Sequence, residues 1–172
     1  MAILASDIES RLSGGAANTS PAAALGGAMS TVGGGVITTD VLNNLFDDVS
    51  GDESAAGDTE YRGIYVKNAH GSLTWQTVKA WISALTTSTD DEIAIALADE
   101  GLNVAMETIV NESTAPVGPS FSTPTTKETG LAVGNIPSGQ YYGIWVRRIV
   151  DLGAAAADNN AGTLKCEGDT AA

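Results

Sequence analysis

Apolar and polar positions divide the chain into two textures. From Ile37 onward, short runs with a period of two alternate with turn signals, which is the pattern of an all-β fold. The run 60–67, EYRGIYVK, predicts a strand with Arg62, Ile64 and Val66 on one side and Tyr61, Gly63 and Tyr65 on the other. The run 75–85 predicts a second, with Val78, Ala80, Ile82 and Ala84 on one face and Trp75, Thr77, Lys79, Trp81 and Ser83 on the other. In 92–98, EIAIALA, the residues Ile93, Ile95 and Leu97 point inward. Further strands are expected over 104–110, over 131–133 at an edge, over 141–150 (YYGIWVRRIV), and over 163–167 with Leu164 and Cys166 inward. Residues 45–50 read as a strand or the turn leading into one, and SGDESAAGD after them as a polar loop. About seven short strands at this spacing predict a β-sandwich, Ig-like or jelly-roll. Its core is expected from Val78, Ala80, Ile82, Ile93, Ile95, Ile144 and Val146, which hold alternate positions in the clearest strands.

The first 36 residues read differently. Ser6-Asp7-Ile8-Glu9 is a capping box that predicts a short helical turn, stopped at Gly14-Gly15. AANTSPAAALGGAMSTVGGG follows, with no helical or strand period. Its glycines make ordering on its own entropically costly. The expected division is therefore a Gly/Ala-rich N-terminal arm over 1–36 and a β-sandwich domain over 37–172. Leu25, Met29, Val32 and Val36 dot the arm with apolar side chains, which favours contact with neighbouring subunits over solvation.

Composition narrows the function. Charged residues are 17% of the chain, below the usual quarter, and the net charge is −13. A chain this acidic repels phosphate backbones, so no direct nucleic-acid partner is expected. One cysteine, Cys166, excludes an intramolecular disulfide and a cysteine zinc cluster. The start MAILASDIES does not read as a secretory signal, and no run approaches the roughly 18 apolar residues of a spanning helix. Synthesis in a bacterial cytoplasm and no membrane partner are the expectation.

Candidate chemistry is sparse. His70 is the only histidine and sits in a polar turn, a poor place for a catalytic base fixed by packing. Cys166 reads as a small buried hydrophobe. Asp47, Asp48, Asp52, Glu53, Asp58 and Glu60 offer oxygen ligands for calcium, but not at the spacing of the twelve-residue calcium loop. A solvated acidic loop is the plainer reading there, as it is for Asp90-Asp91-Glu92. GGAANTS and GGGVITT lack the Gly-Lys-Ser/Thr of a phosphate loop. Arg147 and Arg148 point to opposite faces of their strand, so either one lies inward or at an interface and meets a carboxylate, or the pair stands at a sheet edge in water; the pattern leaves both open. No catalytic residue, cofactor or metal is assigned. Trp75, Trp81, Trp145 and Tyr65 are expected on outward faces. With Leu25, Met29 and Val32 they form the candidate interface, since aromatics are enriched where proteins meet.

Four segments carry a resemblance: the arm RLSGGAANTSPAAALGGAMS, the strand pair YRGIYVKN and VKAWIS, the segment GLAVGNIPSGQYYGIWVRR, and the ending EGDTAA. Together they resemble a set of small virion proteins of tailed bacteriophages. The resemblance implies a non-enzymatic virion structural protein with a sandwich fold. It implies a capsid decoration or cement protein on the capsid exterior, with the major capsid protein and copies of itself as partners, in a homo-oligomer such as a trimer. It carries over no site residues. A neck, tail or baseplate protein is the alternative within that class. A carbohydrate-binding host-adhesion module, using exposed tryptophans, is the alternative outside it.

Overall fold

The computed structural model describes residues 2–157 and 159–170; Met1, Asp158 and the last two residues of the EGDTAA ending lie outside them. The fold is mostly β. Its strands are β1 (Ile8–Leu12), β2 (Gly26–Gly27), β3 (Asp58–Asn68), β4 (Trp75–Ala84), β5 (Asp91–Leu97), β6 (Met106–Thr108), β7 (Leu131–Ile136), β8 (Tyr141–Val150) and β9 (Thr163–Thr170). One short helix, α1 (Gly51–Ala56), precedes β3. All pairings are antiparallel. One sheet has the order β1-β3-β8-β5, a second β7-β4-β9, and β2 pairs with β6 alone.

The expected core forms. Ile64, Val66, Val78, Ala80, Ile82, Ile95, Ile144 and Val146 are buried in one cluster to which both larger sheets contribute, with Ile93 packed against it. Trp75 joins that cluster, although strict alternation placed it on the opposite face. The register of β4 shifts between Trp75 and Val78, and Thr77 there has φ of 50°. The bulge adds one residue, which returns Trp75 to the core side.

A second apolar cluster lies on the other face of the four-stranded sheet. It contains Tyr61, Tyr65, Ala96, Ala98, Trp145, Met106, Ile109 and Met29, with Leu25 and Phe121 packed against it. This cluster corrects the reading of residues 1–36. The segment is not an arm projecting from a finished domain. Its residues 8–12 form β1 and pair with β3 over five positions, from Ile8 opposite Asn68 to Leu12 opposite Ile64. Its later residues lie over the sheet, and Leu12, Ala24 and Met29 are buried. The capping box at Ser6–Glu9 yields only a single 3-10 turn, Ala5–Asp7, before the chain becomes a strand. Pairing with a long neighbouring strand outweighs a one-turn local preference.

Other boundaries also shift. Residues 45–50 form no strand. The polar loop expected after them carries α1, where the Ser50 side chain accepts from Glu53 N–H and the Glu53 carboxylate accepts from Ser50 N–H. That is a capping box, and it starts the helix. The strand expected over 104–110 is reduced to β6, while β7 and β9 run on to Ile136 and Thr170.

Candidate functional site

The candidate interface residues do not share a surface. Trp75, Trp81, Trp145, Tyr65 and Met29 are buried, Leu25 is half-buried, and Val32 alone is exposed, at 37%. The expected outward position of the four aromatics is therefore corrected. Alternation along a strand tells which residues share a face, not whether that face is wet. Tyr65 and Trp145 do lie opposite the main core, but residues of the N-terminal segment and β6 cover them.

Tyr65 shows how the cover is fastened. Its hydroxyl donates to the Gly27 carbonyl at 2.5 Å and accepts from the Met106 N–H at 2.7 Å. Burial pushes this phenol up to about 12. Gly26 sits at φ of 87°, and a Cβ there would meet the Glu107 carbonyl oxygen and press on the Trp145 ring. Only glycine lets this backbone lie so close to the sheet. Arg11 adds a grip from β1, donating through Nη1 to the Ser30 and Val32 carbonyls at 3.1 and 3.2 Å. Leu25, Met29, Tyr65 and Trp145, expected to hold other subunits, pack together on the chain's own sheet.

A buried charge cluster lies at one end of β3 and β8. Glu60, Arg62 and Arg148 are all buried. Arg148 donates through Nε to Glu60 at 2.6 Å and through Nη1 to the Asp47 carbonyl at 2.6 Å. Arg62 lies 3.6 Å from Glu60 and pairs with Glu112. Both guanidiniums stack on the Phe46 ring, with their carbons 5.5 and 5.0 Å from its centroid. Burial pushes the Glu60 carboxyl up, against the pull of Arg148 and Arg62. Of the Arg147–Arg148 pair, Arg148 is thus the one that meets a carboxylate inside. Arg147 lies over the Phe121 ring and within 3.5 Å of Glu92.

Three members of the acidic stretch converge. Carboxylate oxygens of Glu53, Asp58 and Glu60 lie within 4.8 Å of one another. Glu60 is already matched by Arg148, so a cation there would stand beside a guanidinium. Asp47, Asp48 and Asp52 are exposed. His70 Nδ1 accepts from the Ser72 and Leu73 N–H groups at 3.1 and 3.0 Å, which fixes the turn into β4. Burial pushes the Cys166 thiol up to about 12, against thiolate chemistry.

The surface grooves are shallow. One, about 230 Å³, is lined by Leu12, Pro21, Val36, Val41 and Leu42 among others. Val41 and Leu42 project beside it, at 51% and 69% exposure. Among the described residues no helix is long and apolar enough to cross a membrane. No family model, no curated protein and no solved structure matches the chain.

Proposed function

We propose that this chain is a non-enzymatic structural protein of a tailed-bacteriophage particle. Its role is capsid decoration or cementing, bridging the major capsid protein and other copies of itself. We infer in addition that its two larger sheets form a β-sandwich of the Ig-like or jelly-roll kind; the core to which both contribute supports this. The observation that carries the functional reading is the resemblance of four segments of the chain to small virion proteins. What the molecule offers a partner is consistent with it: a charge-poor acidic surface and apolar side chains raised on loops, among them the adjacent pair Val41 and Leu42. The N-terminal segment is not the proposed grip, since Leu12, Ala24 and Met29 are buried within the chain and Leu25 is half-buried. The alternative of a glycan-binding module loses its footing, because the three tryptophans it needed as open platforms are buried.

The test is location. Particles of the phage that encodes the chain are purified and probed by labelled antibody and electron microscopy. The protein should be found on the particle at a fixed copy number. Val41→Asp together with Leu42→Asp should lower its occupancy on particles lacking it, with its own melting temperature unchanged. Absence of the protein from purified particles would overturn the assignment.

A further inference from the structure

The geometry points to the free edge of β9 as the place where a second copy of this chain adds, strand against strand in antiparallel register. This deepens the self-association within the proposed function and rests on the sheet geometry, so it is testable on the purified chain alone. The outer strand of a sheet presents a row of unpaired N–H and C=O groups, which templates another strand unless it is blunted. Four strands are outermost in the two larger sheets: β1, β5, β7 and β9. Three of them are blunted. The outer side of β1 is taken by the Val36–Ile37 stretch, with Arg11 bridged to Val36 and Ile37 N–H donating to the Ser10 carbonyl at 2.8 Å. The outer side of β5 is closed by Ser122, which exchanges both backbone hydrogen bonds with Ile95. β7 is short, shifts register against β4, and has Gly134 at φ of 91°. β9 has none of these devices. It runs eight residues, both register shifts in its pairing with β4 fall where β4 carries the extra residue, and among the described residues its own N–H and C=O groups bond to β4 alone, with Ile3 N–H reaching only the Thr170 hydroxyl at its end, at 3.2 Å.

The occupant follows from the residues of the edge, TLKCEGDT. Pairing with β4 puts Leu164 and Cys166 on the core side, half-buried at the rim of the main cluster, and Lys165, Glu167 and Asp169 on the outer side. A twofold axis through Cys166, perpendicular to the sheet, joins two copies into one continuous six-stranded sheet with both cores on the same side. In that register Lys165 stands opposite the other copy's Glu167, twice. Thr163 faces Asp169, Leu164 faces Gly168, and no like charges meet. Shifting the axis to either neighbouring outer-side residue sets Lys165 against Lys165 or Glu167 against Glu167. Charges on an edge normally repel a second strand. Here their order makes the edge complementary to itself, and the join also covers the half-buried Leu164 and Cys166.

The experiment uses the full chain near physiological salt. Light scattering coupled to gel filtration should give a dimer for the parent. Lys165→Glu, which presents three carboxylates per edge with Glu167 and Asp169, and Glu167→Lys, which presents two ammoniums, should each be folded monomers by circular dichroism, with dissociation constants raised at least tenfold. Mixed in equal amounts, the two variants should form a dimer again, because each now complements the other. That rescue excludes a trivial folding defect. A monomeric parent at about 100 μM, a dimer that neither substitution weakens, or a mixture that stays monomeric overturns the inference. A monomeric parent that still occupies particles would sink this edge contact while leaving the particle assignment standing.

Discussion

Glu60, with 1% of its surface exposed, sits between two guanidiniums and has little solvent to fall back on. Removing one member of a buried ion pair leaves the others uncompensated, which costs about 3–5 kcal/mol. Glu60→Gln should therefore lower the free energy of unfolding by about that much in urea titration, with the slope unchanged. Glu112→Gln, which removes a partner 43% exposed on its side chain, should cost far less. The sequence showed that Arg147 and Arg148 diverge, because side chains alternate along a strand. It did not show which one turns inward, nor that Glu60 and Asp47 await it. Those partners lie 88 and 101 residues away along the chain, where no local period can reach.

At the scale of elements, β1 and the segment after it act as the second cover of the four-stranded sheet. Deleting residues 1–35 would remove a paired strand and uncover Tyr65 and Trp145. Each such ring buries about 150–250 Å², several kcal/mol at about 25 cal/mol per Å². Net stabilities are only about 5–15 kcal/mol. The truncated chain should thus fail to give a folded soluble protein, and amide-proton spectra should show collapse of dispersion rather than a trimmed domain. The long strands β3, β4, β5 and β8 were legible because their alternation is strong and sustained. β1 was missed because Ile8, Ser10 and Leu12 alternate over too few residues to compete with a capping-box signature beside them. α1 was missed for the converse reason: its Ser50–Glu53 box stands in a stretch whose polarity reads as loop.

For the whole molecule, 21 acidic residues against 8 basic ones set a repulsion that folding must overcome. Raising sodium chloride from about 10 mM to about 300 mM shortens the screening length from about 30 Å to below 8 Å. The thermal midpoint should rise by several degrees, read by calorimetry; a fall would mean that surface ion pairs outweigh the net repulsion. The sequence by itself determined the β class, the alternating residues at the centre of the main core and the acidic character, because each follows from local alternation or from composition. Only the tertiary structure decided that the sheet's second face is covered, that the glycine-rich segment does the covering, and that the aromatic residues face inward. Period-two alternation sorts side chains onto two faces, but what lies against each face depends on how distant segments return to it.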